Sequence, residues 1–278
     1  MRGEFYRSLG LEPSGPKSNR TSLAVLDYHP KARRLIVVDI ESRIQGFEEV
    51  SADESLLESV QAATSSAEKM TGIGVHGPLS LPPALAGVGE KPGAKPANQE
   101  QIEWLETAWQ KCLPRPKPFV SYLQRPCEVW LRYQTQEKFA IPEALGANSA
   151  PITARMQFLG PKLPEPLHEV FPKATFSRIC HSLNMSKAIQ RDYLDVEKGL
   201  RTRELFFESL SAKLPQLFIY DKDLETMILN ISAFNAFLNG FMQHLVYKNQ
   251  FEQAPKNFPQ KASWIYIPRR TIKWDDVF

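Results

Sequence analysis

The stretch that most constrains the fold is residues 9–28, LGLEPSGPKSNRTSLAVLDY. It begins with a short apolar run carrying Glu12, continues through a loop rich in Pro, Gly and Ser, and ends in a β-branched and apolar run at residues 21–28. Two such runs separated by turn residues predict a hairpin. An acid where a strand enters a Gly/Pro loop is held by rigid backbone and can face open space, as metal or acid–base chemistry requires. The alternative is that Glu12 is a solvated loop acid.

The composition indicates a globular chain and excludes few functions. With 278 residues, 42% of them hydrophobic, the chain can bury a sizeable core. Its net charge of +3 permits contact with nucleic acid without arguing for it. Cys112, Cys127 and Cys180 are odd in number and too far apart for a zinc knuckle, so we expect reduced thiols in a cytoplasmic protein. No run of about 18 apolar residues is present, so no membrane span is expected.

The first third of the chain predicts an α/β fold. Residues 34–39 (RLIVVD) form a third predicted strand, and residues 51–70 a helix that begins with a capping box of Ser51 and Glu54. Residues 71–76 form a short fourth strand. A crossover helix makes the last pairing parallel, so we expect three antiparallel strands followed by parallel ones.

Two Pro-rich stretches interrupt this pattern. Residues 78–118 contain one helical segment at 99–111, and residues 140–166 follow a predicted helix at 127–139. We interpret residues of about 84–165 as an insertion laid over the sheet, within a single domain that spans the whole chain.

The second half of the chain returns to regular elements. Residues 166–171 predict a fifth strand that carries Glu169, and residues 264–268 a last strand. Helices are predicted at residues 175–182 and 199–213.

The most strongly patterned element is a long helix predicted at residues 221–247. Its apolar side chains recur at helical spacing and form one broad arc. Asn239 and Gln243 fall on the opposite, polar face, and Asn235 falls at the border between the two. A border position lets a polar side chain face a cleft from a buried helix, although Asn235 would be equally well explained as an ordinary edge residue.

Several short motifs occur in a characteristic order along most of the chain. They are GLEPSG at 10–15, GVHGPLSLP at 74–82, RPCE at 125–128, HEVFPKATF at 168–176, KGLRTREL at 198–205, SAFNAFL at 232–238 and WIYIP at 264–268. Their order and spacing resemble those of domain of unknown function 429, a family of predicted RNase H-like nucleases. The resemblance implies an RNase H-like mixed sheet with flanking helices and Pro-rich insertions. It also implies a metal-dependent nuclease or phosphodiesterase that acts on nucleic acid.

The resemblance also implies a site. In this fold class, acids from the first strand, a neighbouring parallel strand and the C-terminal helix converge on two divalent metals, which clamp the attacking and leaving oxygens of a phosphodiester. The corresponding positions here are Glu12, His76, Glu169 and Asn235, with Glu128 of the RPCE motif as a further candidate. Glu12 and Glu169 are the expected ligands of Mg²⁺ or Mn²⁺.

The sequence departs from the family at three of these positions. The family usually has Asp where this chain has Glu12, His76 and Asn235, so two anionic ligands have become neutral. Imidazole also suits Zn²⁺ or Mn²⁺ better than Mg²⁺. In one remaining arrangement, Glu12, Glu128 and Glu169 hold a single metal while His76 acts as a base or a softer ligand.

The neutral residues favour an alternative function. A catalytically inactive relative would keep the fold to bind nucleic acid or a protein partner, a homodimer included. Nucleic acid would have two basic patches available, at residues 31–34 and 269–270, with Trp264, Tyr266 and Trp274 nearby for stacking.

A third hypothesis ranks last. It is a nucleotide-binding ATPase of the actin and sugar-kinase type, with the loop at residues 14–21 holding phosphate. That class needs a second phosphate hairpin in a duplicated domain, and no second copy is apparent in the sequence.

Overall fold

The computed structural model describes residues 4–15, 18–85, 98–112 and 119–278. The chain divides into two compact units. The first comprises Met1–His76, Pro161–Glu252 and Tyr266–Phe278, and the second comprises Gly77–Gly160 and Gln253–Ile265. Most of the region interpreted as an insertion therefore belongs to the second unit.

The fold is α/β and is built on a seven-stranded mixed sheet. The strands are β1 Tyr6–Glu12, β2 Thr21–His29, β3 Arg34–Ile44, β4 Lys69–Val75, β5 Leu167–Val170, β6 Leu217–Ile219 and β7 Ile265–Tyr266. Their order in the sheet is β6-β3-β2-β1-β4-β5-β7. β1, β2 and β3 pair antiparallel, whereas β1 with β4, β4 with β5, and β3 with β6 pair parallel. The expected mixed sheet is confirmed, and its layout is consistent with an RNase H-like sheet. The short edge strand β6 was not predicted.

Helices flank the sheet and fill the connections. They are α1 Ala52–Ser65, α2 Gln99–Gln110, α3 Pro126–Val129, α4 Ala150–Leu159, α5 Pro172–Ser182, α6 Lys187–Arg191, α7 Lys198–Lys213, α8 Asp221–Leu229 and α9 Ile231–Tyr247. The predicted capping box of α1 is confirmed, because the Glu54 amide donates to Ser51 Oγ and the Ser51 amide donates to the Glu54 carboxylate. None of the described helices has the length and apolarity to cross a membrane.

The Pro-rich region is more regular than its composition predicted. The helix expected at 127–139 is only the short α3, continued by one π-helical segment, Trp130–Gln134. The stretch at 140–166, expected to be irregular, contains α4. In the second unit, the Trp130 and Trp264 rings lie 4.5 Å apart.

The long helix predicted at 221–247 is two helices, which is a correction to the sequence analysis. Asn230 breaks it with extended backbone angles, φ −116° and ψ 113°. The Asn230 side-chain oxygen accepts from the amides of Ser232 and Ala233 at 2.9 and 3.3 Å. Asn230 therefore caps the N-terminus of α9, as Asn commonly does.

Close backbone contact sets the position of α9 on the sheet. A Cβ atom on Gly10 of β1 would lie 2.0 Å from the Ala236 carbonyl oxygen, and one on Gly74 of β4 would lie 2.3 Å from the Asn239 carbonyl oxygen. Only glycine permits this approach. The backbone of α9 therefore rests directly on β1 and β4, and its side chains reach the ends of these strands.

A buried ion pair ties the opposite face of the sheet to α1. Arg7 makes two contacts with the Asp27 carboxylate, Nε to Oδ1 at 2.6 Å and Nη2 to Oδ2 at 2.7 Å. Arg7 Nη1 also donates to the Ala63 carbonyl oxygen and to Ser66 Oγ, near the C-terminus of α1. This bidentate geometry satisfies both charged groups, and either of them would be costly to bury without the other.

Candidate functional site

The candidate site lies at the carboxyl ends of two parallel strands. Glu12 is the last residue of β1, and His76 directly follows β4. Side chains alternate along a strand, so Glu12 shares a face with Gly10, and His76 shares one with Gly74. Because α9 rests on these two glycines, Glu12 and His76 face the polar side chains of α9. Carboxyl strand ends are where open α/β sheets usually bind ligands.

Three side-chain nitrogens converge on the Glu12 carboxylate. His76 Nδ1 lies 2.9 and 2.8 Å from its two oxygens. Asn235 Nδ2 donates to Oε1 at 3.0 Å. Asn239 Nδ2 donates to Oε2 at 3.3 Å and to the Leu11 carbonyl oxygen at 2.9 Å. The Glu12 side chain is only 12% exposed, so these donors replace most of its water.

The orientation of Asn235 is set by Tyr193. The Tyr193 hydroxyl donates to Asn235 Oδ1, so the amide must present its NH₂ group to Glu12. Burial raises the pKa of Tyr193 well above its usual value, and the nearby Glu12 charge adds to this effect. Tyr193 therefore stays protonated and acts as a donor, while its ring stacks on Phe176 at 4.6 Å.

His76 is the more exposed partner of this network. Its side chain keeps 31% of its exposure, and Nε2 has no hydrogen-bond partner among the described residues. Burial lowers its pKa, but the charge and hydrogen bond of Glu12 and the charge of Glu169 outweigh burial. The pKa of His76 is therefore raised, which favours a positive charge beside Glu12.

Glu169 lies on β5 beside the last residue of β4, but its side chain is on the other face of the sheet. Gly74 pairs with His168, and Val75 pairs with Glu169. His168 faces α9, because its Nδ1 lies 2.6 Å from Gln243 Oε1. Alternation then directs the buried Glu169 to the opposite face. From that face, the charge of Glu169 still contributes to raising the pKa of His76.

Glu128 lies in the second unit, where it forms a buried ion pair. Its Oε1 accepts from Arg125 Nε at 2.8 Å and from the Ala144 amide at 2.9 Å, and its Oε2 accepts from the Arg125 amide at 3.0 Å. The side chain is 2% exposed. These contacts support the start of α3.

The donor set does not fit the two-metal centre implied by the resemblance. A divalent ion at Glu12 needs further oxygen ligands. Asn235 instead presents an N–H group to Glu12, His76 presents another, and Glu169 faces away. Within the described ranges, no group of three or more His, Cys, Asp or Glu side chains is arranged to hold a metal ion.

Sequence reasoning missed two members of the network. Asn239 was assigned to the polar face of the long helix together with Gln243, yet both are completely buried. Tyr193 lies in a short 3₁₀ turn, Asp192–Leu194, and carries no recognisable motif. Gly10 and Gly74 were the sequence feature that could have indicated the burial of Asn239, because small residues on one strand face allow a helix to approach closely.

The basic turn at residues 31–34 lies at the far end of the sheet from this site. Arg34 pairs with His29 at one end of the hairpins, while Glu12 pairs with Ser22 at the other. At about 3.3 Å per residue, the two ends are roughly 20 Å apart. The basic turn therefore does not border Glu12.

The aromatic residues proposed for stacking are engaged in packing. Trp274 is buried, with 8% of its surface exposed. The Tyr266 ring lies 4.4 Å from the His168 ring, and the Trp264 ring lies 4.5 Å from the Trp130 ring. These contacts leave less ring surface for bases than the sequence indicated.

No known protein family, curated protein or solved structure matches this chain. Conclusions about function therefore depend on the geometry described above.

Proposed function

We propose that this chain is a catalytically inactive protein of RNase H-like fold that acts by binding a protein partner. The observation that carries the proposal is the convergence of His76, Asn235 and Asn239 nitrogens on Glu12. Metal-dependent phosphodiester cleavage needs oxygen ligands at these positions. Here the protein supplies N–H donors where a metal ion would be, so the site is complete without one.

The energetics support this proposal. A hydrogen bond to a charged group contributes about 1.5–3 kcal/mol, and a metal ion at Glu12 would have to displace several such donors. It would also lie beside His76, whose raised pKa favours a like charge. Both effects disfavour cation binding.

A protein partner is favoured over nucleic acid by the distribution of charge and aromatic surface. The basic turn at 31–34 lies at the opposite end of the sheet from Glu12. Tyr266 and Trp274 are packed within the first unit. Nucleic-acid binding usually combines basic and aromatic side chains on one surface, and the basic turn lies too far from Glu12 to do so there.

Calorimetric titration with Mn²⁺ and Mg²⁺ tests the inactive site. We expect no saturable binding to the wild type at millimolar metal, and no Mn²⁺-dependent cleavage of single- or double-stranded DNA or RNA. A His76→Asp/Asn235→Asp double variant should gain Mn²⁺ binding, and adding Glu12→Ala to it should abolish that gain. Saturable binding to the wild type that is lost in Glu12→Ala, together with cleavage, would overturn the proposal in favour of a metal-dependent nuclease.

One observation favours a second candidate, metal-independent acid–base catalysis by His76. Glu12 holds the Nδ1–H group and leaves Nε2 open, which is how a carboxylate orients a catalytic imidazole. Hydrolysis of p-nitrophenyl acetate measures this activity. If His76 catalyses this reaction, His76→Gln lowers the rate and His168→Gln leaves it unchanged, since His168 is oriented by the neutral Gln243. Equal rates for the wild type and His76→Gln would refute this candidate.

A further inference from the structure

An apolar surface is exposed at the β6 edge of the sheet. Phe218 and Tyr220 are 47% and 53% exposed, and Val38 on the neighbouring β3 is 39% exposed. Ile36 pairs with Phe218, and Val38 and Tyr220 are the next exposed apolar residues along the two strands, Val38 at a β-bulge between Val37 and Asp39. We call these four residues the edge strip. The Phe218 and Tyr220 rings contact each other edge-on at 4.9 Å.

The edge strip lies outside the core of the first unit. Leu35, Val37 and Leu217 alternate with it, are buried, and face the core. Single exposed apolar residues are ordinary, but a contiguous group on one surface is typical of an interaction site.

The backbone of β6 offers an edge for strand pairing. The Leu35 amide donates to the Gln216 carbonyl at 3.1 Å, so the backbone groups of Leu217 and Ile219 point away from β3. The Leu217 amide donates to the Leu214 carbonyl oxygen. The Leu217 carbonyl and the backbone amide and carbonyl of Ile219 therefore remain at the outer edge. In the described part of the chain, no strand lies beyond β6. An uncovered edge of this kind is a template for another strand.

The charges around the edge strip have opposite signs at its two ends. At one end, the exposed Arg34 is the first residue of β3, and the exposed Lys213 ends the helix that precedes β6. At the other end, the exposed Asp39 lies on β3 just beyond its pairing with β6, and the exposed Asp221 lies just after β6, followed by the exposed Lys222. A twofold antiparallel arrangement centred on Phe218 brings the basic end of one copy against the acidic end of the other.

We propose that two copies of this chain pair antiparallel through β6 and bury the edge strip between them. A second copy fits better than an unlike partner of a single charge sign, because such a partner would be repelled at one end of the strip. The inference goes beyond the proposed function and uses none of the residues around Glu12. The two can therefore fail separately.

Sedimentation velocity on the full chain over a range of concentrations tests the pairing. We expect a concentration-dependent dimer whose dissociation constant rises at least about tenfold in Phe218→Glu, because a charge would be buried at the centre of the interface. Phe47→Glu is the matched control: Phe47 is 60% exposed but lies outside the edge strip, so its substitution should leave the dimer unchanged. Circular dichroism establishes that both variants are folded.

Charge reversal gives a second test that specifies the orientation. Lys213→Glu and Asp221→Lys should each weaken the homodimer, because like charges then meet at both ends. A mixture of the two variants should form a heterodimer in which positions 213 and 221 again carry opposite charges at both ends. A wild type that stays monomeric up to its solubility limit overturns the proposal. A dimer insensitive to Phe218→Glu, or two charge variants that fail to pair with each other, also overturns it.

Discussion

Replacing Asn235 by Asp exchanges an amide that donates to Glu12 for a carboxylate that cannot donate. The Asn235 Nδ2 atom lies 3.0 Å from Glu12 Oε1, so the new oxygen would face the Glu12 oxygen at about this distance. Tyr193 would still donate to the other oxygen of the introduced group. The substitution therefore isolates the interaction between position 235 and Glu12.

Two contributions determine its cost. The lost hydrogen bond to a charged acceptor amounts to about 1.5–3 kcal/mol. Two unit charges about 3 Å apart repel by about 5 kcal/mol at an effective dielectric constant near 20, which protonation of the pair can partly relieve. We therefore expect Asn235→Asp to lower the free energy of unfolding by about 2–5 kcal/mol at pH 7. For a chain of this size, each kcal/mol corresponds to roughly 2–4 °C in Tm.

The pH dependence distinguishes repulsion from simple loss of a hydrogen bond. Two facing carboxyl groups bind a proton more tightly in the folded than in the unfolded chain, so the deficit of Asn235→Asp should shrink as the pH falls from 7 to 5. Asn235→Ala removes the donor without adding a charge, so its deficit should not shrink in this way. Urea unfolding of both variants at the two pH values measures the difference. Equal deficits for Asn235→Asp and Asn235→Ala at pH 7 would refute an ionised Glu12 facing position 235.

Three further outcomes follow from the structure. Gly10→Ala should lower the free energy of unfolding, measured in urea, by more than about 3 kcal/mol, because its Cβ would meet the backbone of α9. Gly15→Ala is the control and should be neutral, because no atom lies within 4 Å of its added Cβ. Equal effects of the two substitutions would contradict the contact between Gly10 and α9. Burial lowers the pKa of His244 to about 4, so the neutral His244 stabilises the fold fully above pH 6.5, and about 3 kcal/mol of unfolding free energy is lost as the pH falls to 4. His244→Phe should make the unfolding free energy less dependent on pH over this range. An acid unfolding transition that is unchanged in His244→Phe would argue against this role of His244. Glu12→Gln should lower the pKa of His76, because burial then dominates; an unshifted NMR titration would contradict the pairing.

The elements predicted correctly are those specified by local pattern. The hairpin of β1 and β2, whose first strand ends at Glu12, and the capping box of Ser51 are encoded within a few neighbouring residues. The break at Asn230 was missed because apolar residues keep their helical spacing across it, from Met227 to Ile231. The strand β6 was missed because it has only three residues and depends on pairing with β3.

The site was predictable only in part, for a different reason. The resemblance placed Glu12, His76, Glu169 and Asn235 at one site, with Glu128 as a further candidate. The structure brings Glu12, His76 and Asn235 within hydrogen-bond distance. Asn239 was assigned to solvent because helical periodicity cannot indicate that a helix is buried on all sides. Tyr193 reaches the site from 42 residues away in sequence, through tertiary packing that no local pattern encodes.

The two neutral positions of the site are physically coupled. An Asp at either position 76 or position 235 would face the Glu12 carboxylate at about 3 Å, and such a pair repels unless a proton or a cation lies between its members. With His76 and Asn235 in place, that repulsion is absent, because both side chains present an N–H group to Glu12 and the raised pKa of His76 favours a positive charge there. These N–H groups also explain why the Glu12 side chain can be only 12% exposed, since they replace the water that would otherwise solvate its carboxylate. A chain with Asp at only one of these positions would have that repulsion and lose one N–H group that contacts Glu12, so exchanging either His76 or Asn235 singly is costly.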